Sequence, residues 1–278
     1  MKLPKFKKLV ISGGGIKGLA ICGAIELLMD KIKLMDTIEE IYGSSIGSYI
    51  AFFLCIKISP KDICDIIKVD LTEFQEFNMA RFLTEYGFDD GKKFTNLLNA
   101  TIKTAGYNPD ITFKQLSKIS KYKLFICGTN INKSEAVYFS VDNHPNMEIR
   151  DALRISGGYP FAFTPINIDG DLYSDGAIVS PLPCSLISEK DKEITLAIAN
   201  HRSFDRYTTD GIYSYLMSII SCIIDSLTEA NIKSMKYVVE ISYPLHAMAF
   251  DISLQEKDKI IECGRKFAED WLKNYNLS

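Results

Sequence analysis

Two glycine-bearing loops carry residue types at spacings suited to chemistry. Gly43, Ser45 and Gly47 form Gly-x-Ser-x-Gly, and in that frame only, since Ser44 would need glycines at Tyr42 and Ile46, and Ser48 at Ile46 and Ile50. A serine at a sharp strand-to-helix turn projects its hydroxyl outward, and small residues two positions to either side permit the turn. The helix that follows aims free N–H groups and its dipole at developing negative charge. The plainer reading is a Gly/Ser turn that merely caps a helix, a role that also suits Ser45. The other loop is Gly13-Gly14-Gly15-Ile16-Lys17-Gly18. It can offer the N–H groups of Gly14 and Gly15 to an oxyanion while Ser45 supplies the nucleophile. It also fits G-x-G-x-x-G, but a dinucleotide fold wants an acidic residue closing the second strand about twenty positions on. Asp36, Glu39 and Glu40 precede or open that strand instead. A Walker loop is excluded, because Gly18 follows Lys17. Lys17 falls in or beside the first helical turn, where a positive charge is mildly unfavourable, which hints at a nearby anion.

A nucleophilic serine needs a proton acceptor. Of the three histidines, His144 and His246 lie in turn-like stretches, and His201 follows an apolar run at a sheet end, making it the best triad candidate. A carboxylate can replace histidine if it contacts the hydroxyl and an apolar site raises its pKa. Asp-Gly pairs begin at Asp90, Asp169, Asp175 and Asp210, and each reads first as a turn. The residue pattern does not choose among them.

The elements that must position these groups alternate. Lys8 to Ser12 reads as a strand, Gly18 to Asp30 as a helix, and Ile38 to Tyr42 as a second strand ending at the serine loop. The next helix carries Ile50, Phe52, Phe53, Leu54 and Ile56 around nearly its whole circumference and therefore belongs in a domain interior. Strand-loop-helix repeated in this way predicts a parallel sheet with crossover helices. Further strands are expected at Lys123 to Cys127, Ala136 to Ser140, Ile194 to Ala199 and Tyr237 to Ile241. Helix starts are marked at Ser59-Pro60, Thr112 and Ser253. The last helix, Leu254 to about Trp271, has one apolar face. No linker or repeat divides the 278 residues. The expectation is one α/β domain over 1–278, with a motif-bearing core at about 8–200 and a largely helical part at about 211–278.

Composition narrows the class. An apolar fraction of 47% and a charged fraction of 24% match a globular protein. A net charge of −3 without a basic stripe argues against a nucleic-acid partner. Seven cysteines with no Cys-x-x-Cys predict buried thiols in a reducing compartment, not a disulfide frame or zinc site. The first strand begins too early for a signal peptide, and the apolar run Ile212 to Ile224 is too short to span a bilayer. The expected location is cytoplasmic.

Gly13-Gly14-Gly15-Ile16-Lys17-Gly18, Gly43-Ser44-Ser45-Ile46-Gly47 and Asp175-Gly176-Ala177 together resemble, in order and strand context, the three signatures of the patatin-like phospholipase family. Ile155 to Pro165 is similar to the family's Ser-x-x-x-Pro-x-x-Phe-x-Pro stretch, so the resemblance spans roughly Lys8 to Pro183. It implies a three-layer α/β/α fold and a Ser45–Asp175 dyad without histidine. Asp175 is selected because only its Asp-Gly pair is followed by a small residue, Ala177. It implies an oxyanion hole from Gly13 to Gly15, with Lys17 in the family's Arg/Lys position and Gly18 closing the loop. It further implies calcium-independent hydrolysis of acyl esters in phospholipids or related lipids, with no cofactor or metal and with peripheral membrane contact. Candidate interfacial segments are Ile212 to Ile224 and the aromatic stretch Phe74, Phe77, Phe82, Tyr86 and Phe88. Two departures stand out: Ile46 is bulky where the family has Ala or Thr, and Ser180-Pro181 stands where the family has Asn-Pro. The rival functions are a catalytically silent lipid-binding or effector protein and a dinucleotide-binding enzyme.

Overall fold

The computed structural model describes residues 3–69, 76–201 and 211–277. Phe74 and Asp210 lie outside them. In chain order the elements are β1 (Lys8–Ile11), α1 (Gly18–Ile32), α2 (Leu34–Thr37), β2 (Glu40–Ser44), α3 (Ile46–Cys55), α4 (Pro60–Ile67), α5 (Met79–Glu85), β3 (Gly87–Asp89), α6 (Lys92–Thr104), α7 (Phe113–Ile119), β4 (Lys123–Asn130), β5 (Glu135–Phe139), α8 (Ile149–Ser156), β6 (Phe161–Phe163), β7 (Ile166–Ile168), β8 (Asp171–Asp175), β9 (Thr195–Asn200), α9 (Ile212–Ser234), β10 (Tyr237–Ile241) and α10 (Leu254–Lys273).

The main sheet runs β10-β9-β1-β2-β4-β8-β7, with β5 also on β4. The pairs from β10 to β4 are parallel, and β5, β7 and β8 join antiparallel. β3 and β6 form a separate parallel pair. Side chains alternate between two apolar layers, as a sheet covered on both faces requires. Leu9, Ile11, Ile41, Leu124, Ile126, Leu196 and Ile198 enter the larger core, with α1, α3, α8 and α10. Val10, Tyr42, Phe125, Ala197 and Ala199 enter the smaller one, closed by Leu182, Ile187 and Ile232 of α9. The result is a mixed, mostly parallel α/β domain, as the sequence pattern predicts.

The expected strands all form, with small shifts at their ends. β3, β6 and β7, of three residues each, carry too little periodicity to read, and β8 holds only two apolar residues, Leu172 and Tyr173, side by side. β8 matters most. β4 pairs with β5 over Ile126–Asn130, so β2 and β8 must share its opposite edge. Ser44 at the end of β2 stands opposite Cys127, and Asp175 at the end of β8 stands opposite Gly128. β4 thereby splints two strand ends together.

α3 is buried from Gly47 to Cys55, as its all-round apolar pattern predicts. Ser59, Thr112 and Ser253 cap their helices, and Thr112 and Gln115 form the reciprocal box. α10 lies on α1 at near backbone contact: a Cβ on Gly264 would sit 1.8 Å from the Ala20 carbonyl oxygen, and one on Gly23 2.2 Å from that of Ile261. Arg265 pairs with Glu26 across the same seam. Five cysteines are buried thiols, whereas Cys222 is exposed and Cys263 partly so.

Candidate active site

Ser45 occupies the junction of β2 and α3 at φ 52°, ψ −131°. A non-glycine residue there costs about 1–3 kcal/mol and persists only where its surroundings dictate it. The surroundings are glycine. A Cβ on Gly43 would lie 2.5 Å from the Gly47 carbonyl oxygen, and one on Gly47 2.5 Å from the carbonyl oxygens of Ile11 and Ser12. The turn is held by the Ser45 N–H donating to Ser156 Oγ at 3.0 Å and by Ser48 Oγ donating to the Ser45 carbonyl at 2.6 Å. Ser156 is the serine that opens the Ser-x-x-x-Pro-x-x-Phe-x-Pro stretch, whose pattern gives no sign that its hydroxyl would hold the Ser45 turn.

The Ser45 hydroxyl donates to Asp175 Oδ2 at 2.8 Å. Asp175 is fully buried, and its Oδ1 accepts the Ala177 N–H at 2.8 Å. Burial pushes its carboxyl up to about 7, with the Ala177 N–H and the Ser45 hydroxyl holding it from rising further. Its backbone is locked too, its N–H donating to the Gly158 carbonyl and its own carbonyl accepting from Thr129 Oγ1. Gly176 opens a short 3-10 turn capped by Asp175, and a Cβ on it would lie 2.3 Å from the Cys127 carbonyl oxygen, so the glycine also permits contact with β4. Asp90 instead pairs with Lys92 and Arg81, and Asp169 sits at φ 52° in the β7–β8 turn.

Hydrogen-bond accounting separates the members of the glycine loop. Gly13 N–H donates to the Pro181 carbonyl, Ile16 N–H to that of Ala247, Lys17 N–H to that of Gly14, and Gly18 N–H to that of Gly15. The N–H groups of Gly14 and Gly15 find no acceptor among the described residues. Gly13 is therefore no free donor, contrary to the expectation of a hole running from Gly13 to Gly15. Its contribution is closeness, since a Cβ would be 3.2 Å from that of Ser45. Gly18 makes room for Ile46, whose Cγ1 would be 2.6 Å from an added Cβ. Ile16 N–H and the face of Gly15 are both covered by Ala247. Lys17 is 8% exposed and lines the cleft. Burial holds its ammonium below the usual lysine range, partly offset by the negative charge of Asp225.

Ser45 opens onto a cleft walled by Ile46, Tyr49, Phe53, Phe94, Leu98 and Phe163. Among the described residues the Ser45 hydroxyl bonds to Asp175 and to no histidine. His201 lies toward Glu240 at 3.6 Å, His246 reaches Ser221 Oγ at 3.4 Å, and His144 packs on Phe139. The residue that β9 delivers to the site is Asn200, one position before His201. Among the described residues no three His, Cys, Asp or Glu side chains converge to hold a metal ion. No described helix is long and apolar enough to cross a membrane. Phe77 and Leu83, each 72% exposed, lie beside or on α5, with Met79 and Tyr86 exposed nearby. Phe77 meets Tyr213 of α9, whose Ile212, Tyr215, Ile219 and Ile223 are exposed as well. Phe88 does not join this surface; it is buried, stacked against Phe77 and Phe82.

The site is a serine–aspartate pair at the head of an apolar cleft, carried on a mostly parallel α/β sheet. The chain belongs to the patatin-like phospholipase family, whose sequence profile matches residues 9–187. It is 30% identical over 278 residues to the uncharacterized protein R571 of Acanthamoeba polyphaga mimivirus, covering 94% of this chain and 92% of that one. It is 27% identical over 218 residues to the probable lipid hydrolase 463L of Invertebrate iridescent virus 6, covering 76% of this chain and 70% of the relative. Among solved structures, VipD from Legionella pneumophila superposes with a TM-score of 0.68 at 18% identity, over 98% of this chain and 67% of that one. That likeness shows the fold.

Proposed function

We propose that the protein is a phospholipase A-type acyl hydrolase that cleaves ester bonds of phospholipids or related lipids through Ser45 and Asp175. The observation that carries this reading is the 2.8 Å hydrogen bond from the Ser45 hydroxyl to a buried carboxylate whose affinity for protons burial has raised to neutrality. Ser45 Oγ attacks the ester carbonyl carbon as its proton passes to Asp175 Oδ2. The carbonyl oxygen becomes an oxyanion within reach of the Gly14 and Gly15 N–H groups; removing one such donor typically costs about 3–4 kcal/mol of transition-state stabilisation. Collapse expels the alcohol, which takes the proton from Asp175, and leaves an acyl-Ser45 ester. Water then gives a proton to Asp175 and attacks that ester. A second collapse returns the proton to Ser45 and frees the fatty acid.

The apolar walls of the cleft suit an acyl chain. The exposed apolar residues of the α5 region and α9 suit a peripheral lipid surface, and α9 also lines the cleft through Ser221 and Ile224. The test is labelling by a fluorophosphonate, together with fatty-acid release from phospholipid vesicles, in wild type and Ser45→Ala. Wild type should label and release acid, and Ser45→Ala should do neither. Equal labelling of both would remove Ser45 as nucleophile; vesicle binding without labelling would favour a silent lipid-binding protein.

A further inference from the structure

We propose that Ser12 and Asn200 form a buried clamp that aims the Gly14 N–H, making both positioning residues for the oxyanion site. The inference rests on the proposed Ser45–Asp175 chemistry. Ser12 follows β1 and Asn200 ends β9, parallel neighbours in the sheet, and both side chains are buried. The Asn200 N–H donates to Ser12 Oγ at 2.9 Å, and that hydroxyl donates to the Gly13 carbonyl at 2.9 Å. Asn200 Nδ2 donates to the same carbonyl at 3.1 Å. One carbonyl oxygen thus receives two side-chain donors that are themselves tied together.

The consequence follows from peptide planarity. The Gly13–Gly14 peptide is trans, as are all the described peptides, so its C=O and N–H point in opposite directions. Holding the Gly13 oxygen toward Asn200 turns the Gly14 N–H away from it, and that N–H has no acceptor among the described residues. Asn200 also packs behind the loop. A Cβ on Gly14, which sits at φ 148°, would lie 2.3 Å from Nδ2, so the backbone rests directly on the carboxamide. A clamp acting before the reaction suits a site whose donors must be oriented in advance of charge development.

The bland alternative is a buried serine and asparagine that merely satisfy each other. Asn200 Oδ1 argues against it, being buried without a hydrogen-bond partner among the described residues. An aliphatic side chain would avoid that penalty, and among the described residues the one bond for which the Asn200 carboxamide is needed is the bond to Gly13. Nothing in the local sequence marks the pair, because the two residues are 188 positions apart.

The test uses Asn200→Leu and the milder Ser12→Ala in the full chain. On a soluble short-chain ester, kcat and the rate of fluorophosphonate labelling should fall roughly tenfold or more, with KM within about twofold of wild type and the pH profile unmoved. Independently of turnover, the Gly14 amide order parameter should drop from about 0.85 toward 0.6 in Asn200→Leu. Unchanged kcat, labelling and Gly14 order in folded variants would overturn the clamp while leaving the dyad standing. A wild type whose labelling does not depend on Ser45 would overturn the dyad; in that case the Gly14 order parameter still decides whether the clamp exists.

Discussion

Ser45 and Asp175 are 130 residues apart, yet the hydroxyl of one donates to the carboxylate of the other at 2.8 Å. Their meeting is a matter of register. β2 and β8 end head to head along one edge of β4, with Ser44 opposite Cys127 and Asp175 opposite Gly128. The carboxylate is carried on backbone that cannot slide without breaking the sheet, so its position relative to the elbow needs no flexible side chain. Asp175 has only two side-chain torsions to fix, and both oxygens are bonded.

Replacing Asp175 with Asn should abolish hydrolysis and stabilise the fold. Loss of the base should lower kcat on the order of 10³–10⁴-fold, the scale seen when one member of such a unit is removed. The folded-state pKa of about 7 lies above the ordinary 3.8, so the folded state binds this proton more tightly than the unfolded chain. The group's stabilising contribution is therefore complete below about 3.8 and is lost as pH rises through 7. Asparagine escapes that loss, and denaturant melts at pH 8 should show a gain on the order of 2–4 kcal/mol that shrinks toward pH 4.

Activity should follow the same ionisation. Asp175 accepts a proton only as the carboxylate, so kcat/KM on a soluble ester should rise with pH and level off above about 7. Below that point each pH unit should cost roughly tenfold. A profile flat from pH 5 to 8 would count against this base.

Ser156→Ala should loosen the elbow. It removes the acceptor of the Ser45 N–H at a residue held in a strained conformation. A stability loss of about 1–2 kcal/mol is expected by thermal melting, with a partial fall in kcat.

Leu83→Glu combined with Ile219→Glu should separate lipid docking from chemistry. Both positions are exposed and neither lines the cleft. Sedimentation with phospholipid vesicles should weaken about tenfold or more, since each exposed apolar group buried in lipid contributes on the order of 1–3 kcal/mol. Hydrolysis of a soluble short-chain ester should stay within about twofold of wild type.

Gly264→Ala tests the seam between α1 and α10. The new methyl would meet the Ala20 carbonyl oxygen at 1.8 Å, so the helices must separate. Thermal melting should register a loss of about 2 kcal/mol or more, where an exposed helical glycine would have been stabilised by the same change.

Much of this was legible in the residues themselves. The Gly43–Ser45–Gly47 elbow, the two strand-loop-helix units and the all-apolar α3 are local patterns, set by steric rules and periodicities that act over a few residues. So are the caps at Ser59, Thr112 and Ser253. The choice of Asp175 among the Asp-Gly pairs was not of this kind. It came from family resemblance, because every such pair reads as a turn until its surroundings are known. His201 drew attention for standing at a sheet end, and the correct sheet end was one residue earlier, at Asn200.

What the sequence determined by itself was where the chain turns, which stretches are buried, and that Ser45 sits on an elbow. What only the tertiary structure decided was which partners those turns meet: Asp175 for the hydroxyl, Ser156 for the Ser45 amide, Asn200 for the Gly13 carbonyl. The physical reason is that strand pairing and burial are collective. A carboxylate becomes a base near neutral pH, and an amide becomes a free donor, only through groups brought in from distant parts of the chain.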